Sequence, residues 1–258
     1  DIPSSRGAHV SALVNESLIV WGGIASTKGD ELELSDGCVY SLNTTTCNWT
    51  KLDIQPAPRA RAWHAACICE NKFVVFGGGI SEKQYLNDLW SLDLYSLERM
   101  NPKWERIEVS PGTLCPPEQV GHAMVAYESK LYIEFGGHDG ETVFNDVWCF
   151  DMNARAWAKL TCTGCTPPSC TAHAVVLVGG VIYMFGGEDQ NEEVLGDTWC
   201  FKLNEQRWYK FPHTSFQPLA RHGHTMVAIE GRMFVLGGMQ NDTVQSKDMA
   251  MMYIMDTS

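Results

Sequence analysis

Glycine pairs recur along the chain at a regular interval, at Gly22-Gly23, Gly77-Gly78, Gly136-Gly137, Gly186-Gly187 and Gly237-Gly238. They stand 55, 59, 50 and 51 residues apart, and self-similarity at that period restricts a chain to repeat architectures. An apolar run leads into each pair: Leu18 to Trp21, Phe73 to Phe76, Leu131 to Phe135, Val181 to Phe185 and Met233 to Leu236. A histidine lies 13 residues ahead of four pairs (His9, His64, His173, His224) and 14 ahead of the third (His122). Between histidine and glycines, two apolar stretches meet at a turn such as Glu70-Asn71-Lys72 or Glu230-Gly231-Arg232. That pattern predicts a β-hairpin of nearly constant length.

Beyond each glycine pair comes a polar loop and then a third strand marked by Tyr40, Trp90, Trp148, Trp199 or Tyr253. A fourth strand opens at Trp49, Trp104, Trp157 and Trp208, 9 residues past the aromatic in three repeats and 14 past it at Trp104. The unit is therefore four short antiparallel strands. The second strands are apolar almost throughout, as befits a sheet buried on both faces. Packing such sheets face to face around an axis gives an all-β fold, the β-propeller.

Apolar strand, glycine pair, spaced aromatic and tryptophan together resemble the kelch repeat, over essentially the whole chain. Repeats near 50 residues with Arg-x-x-His and Asn-Asp-x-Trp features are most similar to the long-repeat subgroup that includes host cell factor and fungal cell-end polarity proteins. The resemblance implies a kelch-type β-propeller with five recognisable blades, approximately 1–53, 54–108, 109–161, 162–212 and 213–258, forming one domain. The tryptophan expected nine residues after Tyr253 falls past residue 258. The last blade is thus expected to lack its outer strand, and the chain to be excised from a larger protein.

Charge and composition narrow the function. Nineteen Lys and Arg against 31 Asp and Glu give a net charge of −12, which argues against a binder of duplex nucleic acid. Hydrophobic residues make up 45% of the chain, too many for disorder. Nothing reads as a signal peptide or membrane span. The ten cysteines follow no repeat-locked pairing, so they are expected to be reduced and the protein cytoplasmic.

Alternate connections of such a blade lie on opposite faces, and the longer loops share one face, the default binding face. Kelch relatives often line their ligand pocket with polar side chains near the start of the innermost strand. By that resemblance the candidate partner contacts are Arg6, Arg59, Arg61, Trp63, Gln119, Arg221 and His222. His138 and Asp139, directly after a glycine pair, are candidates at the pocket mouth. An acidic peptide would suit such a guanidinium cluster. The competing reading is that the aligned arginines brace neighbouring blades by bonding loop carbonyls. The aligned histidines are expected to serve structural hydrogen bonding. Glu134 stands where the other repeats carry Val20, Val75, Met184 and Val235. It is expected to be a buried charge, paired with a cation or lining the channel.

Chemistry is expected to be absent. Cys162, Cys165, Cys170 and His173 have metal-like density but no standard finger spacing. The iron motif of plant specifier proteins would need a third ligand where Phe201 stands, and galactose-oxidase-like copper chemistry has no matching spacing. No catalytic residue, cofactor or metal site is assigned. The reading is a protein-interaction module, a scaffold or adaptor binding a protein or peptide and belonging to a longer chain. The alternatives are the recognition domain of a ubiquitin-ligase receptor and, least favoured, a metal-dependent enzyme.

Overall fold

The computed structural model describes residues 1–28, 31–81, 83–98, 101–138, 142–212, 218–240 and 252–256. Four successive sheets are antiparallel meanders. The first is built from Val10–Val14, Ser17–Trp21, Val39–Asn43 and Asn48–Leu52. The second is built from Ala65–Cys69, Lys72–Ser81, Gln84–Asp93 and Trp104–Arg106. The third comprises Ala123–Tyr127, Lys130–His138, Val143–Asp151 and Ala156–Lys159. The fourth comprises Ala174–Val178, Val181–Phe185, Thr198–Lys202 and Arg207–Lys210, and Thr163–Gly164 adds a parallel strand at its outer edge. A fifth sheet shows three strands among the described residues, Thr225–Ile229, Arg232–Leu236 and Met252–Asp256. The first strands of consecutive sheets lie side by side in chain order. This is the stacking of a propeller.

Alternate side chains of the second strands in the second, third and fourth sheets serve two cores, which is why these strands read as nearly unbroken apolar runs. Phe73 and Val75 pack with Trp21 and Ile19 of the first sheet, while Val74 and Phe76 pack with Leu131 and Ile133 of the third. Similar cores join the third sheet to the fourth and the fourth to the fifth. The fourth-strand tryptophans close each joint from outside. Trp104 lies 5.3 Å from Trp21, Trp157 5.2 Å from Phe76 and Trp208 5.0 Å from Phe135, ring centre to ring centre. The five extra residues before Trp104 form a one-turn helix, Leu94–Glu98. It roofs a cavity of about 210 Å³ lined by apolar and hydroxyl side chains, among them Leu52, Leu94, Leu97 and Thr50.

The one-residue excess between His122 and its glycine pair is a bulge. In the second and fourth sheets Val75 pairs with Trp90 and Met184 with Trp199. In the third, the residue opposite Trp148 is Ile133, and Glu134 faces Val147. Phe135 is the inserted residue, with φ of 44° and a register shift around it. Glu134 is therefore equivalent by register to Phe76 and Phe185, not to Val75 and Met184 as linear spacing had it. The bulge lets Phe135 recover the aromatic role, stacked edge-on to His173 at 6.1 Å, while Glu134 shares its row.

Candidate functional site

The loops before the innermost strands converge on one feature. The residue preceding each aligned histidine (Ala8, Trp63, Gly121, Ala172, Gly223) has left-handed backbone, with φ between 52° and 67°. The chain needs that conformation to turn from loop into strand. It also lets each amide donate to the carbonyl of the preceding sheet's equivalent residue. Trp63 N donates to Ala8 O (3.1 Å), Gly121 to Trp63 (3.0 Å), Ala172 to Gly121 (3.1 Å) and Gly223 to Ala172 (2.8 Å). Four hydrogen bonds thus run as an arc through five sheets. Isolated bridges from Gly7 to Ile24, Ala62 to Gly79 and His222 to Met239 tie the same loops to those after the glycine pairs. Both long-loop sets therefore lie on one face.

The arc rims a cavity of about 730 Å³ whose lining includes Trp63, Tyr85, Val120, Glu188, His222 and Met239. Four of the five rim residues carry at most a methyl, and Val120 and Thr171 beside them are small. Trp63 is the exception. It is 39% exposed and holds a φ of 53° that is unusual for a bulky side chain. Met239, 55% exposed, lines the same cavity. His222 Nδ1 lies 3.3 Å from Glu188 Oε2.

The arginines behave differently from the expectation that they contact a partner. Arg61 and Arg221 are both fully buried. Arg61 donates to the Gly77 carbonyl (2.9 Å) and forks onto both carboxylate oxygens of Asp88, at 3.0 Å on the Nη2 side. Arg221 donates to Gly237 O (2.7 Å) and Leu219 O (3.1 Å). Arg6 repeats the scheme more loosely, with Gly22 O at 3.3 Å and Asp36 at 3.6 Å, its guanidinium 4.9 Å from the Tyr40 ring centre. These three are corrected from contacts to braces that tie the loop to its own sheet's glycine turn. Gln119, at the same position in the third sheet, is also corrected: it is buried at 2% exposure. Arg59 is exposed but does not line the cavity. Asp139 and the His138 side chain lie outside the described residues. Trp63 and His222 are the proposed contacts that the structure brings to the mouth. Met239 and Tyr85 join them without having been singled out; Met239 directly follows a glycine pair and Tyr85 stands near the start of the second sheet's third strand, paired with Gly79.

The histidines sit between sheets. His64 packs edge-on to Trp21 (4.9 Å), His122 to Phe76 (5.4 Å) and His224 to Phe185 (5.4 Å). Burial pushes His122 and His224 down to about 4 and His173 to about 3, and His64 is lowered as well. All four are neutral rings at pH 7 and pack between the sheets. Glu134 is fully buried, as expected, but among the described residues its oxygens have no hydrogen-bonding partner, which corrects the expectation of a paired cation. Among the described residues no three His, Cys, Asp or Glu side chains converge as metal ligands, and no helix is long and apolar enough to cross a membrane.

Comparison with known proteins agrees with this architecture. The family model for the KLHDC2/KLHL20/DRC7 Kelch-repeats domain matches residues 1–238. The chain belongs to the kelch-repeat family. Tip elongation aberrant protein 1 of Schizosaccharomyces pombe is 34% identical over the whole chain, which spans 22% of that protein. Kelch repeat-containing protein 2 of Saccharomyces cerevisiae is 32% identical over 93% of the chain, 28% of its own length. Human Host cell factor 1 is 27% identical over 92% of the chain, 13% of its own length. The chain thus spans less than a third of each of these relatives. Kelch-repeat domains are in general protein-interaction modules.

Proposed function

We propose that this kelch domain, of five repeats with the boundaries given above, is the partner-binding part of a longer scaffold or adaptor protein in the cytoplasm. The mouth of the arc is its recognition site. The observation that carries this reading is Trp63, a large aromatic held half-exposed in a strained backbone conformation at the rim of the larger cavity. Strain at a bulky residue marks a position the surroundings over-determine, and exposed tryptophans dominate interface energetics. The lining contains aromatic, thioether and aliphatic groups, the hydroxyls of Ser81 and Thr171, one His–Glu pair and, among the described residues, no Lys or Arg. It therefore favours an apolar or aromatic anchor residue of a protein or peptide, in place of the acidic peptide that a guanidinium cluster would have selected.

The test starts from a partner recovered by pull-down and then purified. Trp63→Ala should weaken its binding about thirtyfold, the effect of a hot-spot residue, and leave the thermal melt of the domain within a few degrees. Unchanged affinity would exclude the mouth as the binding site.

A further inference from the structure

The joint between the first and second sheets is under-filled at the end away from the glycine pairs, and strand register shows why. On the face that meets the next sheet, strands two, three and four of the fourth sheet carry Tyr183, Cys200 and Tyr209 side by side. The third sheet carries Tyr132, Cys149 and Ala158 in that row, and the second carries Val74, Ser91 and Glu105. The first sheet carries Ile19, Ser41 and Thr50. Two residues nearer the hairpin turn, Ser17 opposes Val14 on the same face. Hydroxyl groups therefore stand where the fourth sheet has a thiol and a phenol ring.

The second sheet spans the gap with its inserted helix without filling it. Leu94, Leu97 and Pro102 form the far wall. The insertion is pinned to its sheet: Leu94 N donates to Asn71 O (2.9 Å), Tyr95 N to Asp93 Oδ1 (3.0 Å) and Asn101 N to Ser96 O (3.0 Å). The enclosed cavity of about 210 Å³ is apolar on most sides and hydroxylic along one, at Ser17, Ser41 and Thr50. None of these three hydroxyls has a hydrogen-bonding partner among the described residues. Among the described residues no ionisable side chain lines the cavity. Left empty, such a space forfeits packing contacts and costs stability.

We propose that this cavity is a binding site for a small uncharged molecule, apolar over most of its surface and carrying one neutral hydrogen-bonding group. Mostly apolar walls with a few polar groups on one side are how small-molecule sites are built. The hydrogen-bonding group would meet the row of Ser17, Ser41 and Thr50, whose hydroxyls both donate and accept. An apolar cavity of about 150 Å³ takes benzene, so this one has room for a ring with a short polar substituent. A charged group is disfavoured, because nothing in the lining would pair with it and the walls would strip its water. The turn between Val14 and Ser17 lies at the opposite end of the hairpin from Gly22-Gly23. The site is therefore separate from the mouth at Trp63, and the proposal stands independently of the partner site there.

The test uses the natural protein in full, with benzyl alcohol as the probe and benzoate as its charged counterpart. With leucine methyl groups labelled for NMR, benzyl alcohol should shift the Leu94 and Leu97 signals saturably at millimolar concentration. Benzoate should bind at least about tenfold more weakly. Thr50→Tyr installs the side chain that the fourth sheet carries in this row. It should weaken the probe about tenfold or more and leave the melting temperature unchanged or raised, since it fills the space. Should that variant fail to fold, Ser41→Leu, which fills the cavity from the middle of the row, should give the same loss. Leu94 and Leu97 signals that do not respond, equal binding of benzoate, or undiminished binding by the filled variants would overturn the proposal. Loss of a protein partner in Thr50→Tyr with no response to benzyl alcohol would assign the cavity to a side chain of that partner and overturn it equally.

Discussion

Burial holds the Glu134 carboxyl in its neutral form at pH 7 by pushing its pKa up to about 8. The group lies toward the fourth sheet, where it adds to the burial that raises the Cys162 thiol to about 11. Its effect on stability has a definite sign. An unfolded glutamic acid loses its proton near pH 4.5 and the folded one near 8, so across that window the folded state binds more protons and stability falls as pH rises. The contribution is complete below 4.5 and lost through 8, at a slope approaching about 1.4 kcal/mol per pH unit. Glu134→Gln keeps the shape and removes the titration. Urea unfolding at pH 5, 6.5 and 8 should show the variant gaining on the wild type steadily as pH rises. Parallel profiles would show that the carboxyl is solvated. The sequence announced this site only through an arithmetic irregularity, 14 residues where the other repeats have 13. It could not say that the extra residue was Phe135 or that the bulge would move Glu134 into the inter-sheet row, because register depends on the partner strand.

At the scale of the element, the loop before the innermost strand is fixed by a guanidinium in the first, second and fifth sheets. Arg61 shows the design most fully: it bridges its own sheet's glycine turn at Gly77 to Asp88 at the head of the third strand's Asp-x-Trp motif. Burial by itself would raise the Asp88 carboxyl, but the hydrogen bonds and charge of Arg61 outweigh it and hold the group below the usual carboxylate range. Removing one partner of a buried pair costs about 3–5 kcal/mol. Arg61→Ala should therefore destabilise the domain by about that amount in chemical denaturation. Arg61→Lys should fall between, because an ammonium cannot reproduce the fork. A loss under about 1 kcal/mol for the alanine variant would show that solvent already satisfies Asp88. The Arg-x-x-His spacing was plain in the sequence, and both readings of it were open. What decides between them is a carbonyl 16 residues away, at Gly77 for Arg61 and at Gly237 for Arg221, and local spacing carries no information about where that carbonyl points. Trp63 was legible for the opposite reason, since a bulky aromatic in a loop among small rim residues departs from the repeat.

For the molecule as a whole, the repeat grammar made the architecture legible because each of its signals has a separate physical cause: glycines where the next sheet's histidine presses on the backbone, tryptophans where a joint is sealed from outside. What the grammar could not show is that these causes are properties of joints between sheets. The first and fifth sheets carry the same signals without such a neighbour among the described residues, as at Gly237 and Trp49. Stability in such a stack is approximately a sum over units and nearest-neighbour joints. Among the described residues the second, third and fourth sheets each have two joints, and the first and fifth have one. Opening free energies should follow that count. Native-state hydrogen exchange should find the amides of Phe73–Phe76, Leu131–Ile133 and Ile182–Phe185 the slowest, opening only with the whole domain, while those of Ser17–Trp21 and Arg232–Leu236 open through smaller, separate events. The fifth sheet should open first, since one of its faces is largely solvent-exposed and it shows three strands among the described residues where the first shows four. Uniform protection across all five sheets would mean that the end sheets are stabilised by something other than their neighbours, and the nearest-neighbour account of this domain would be wrong.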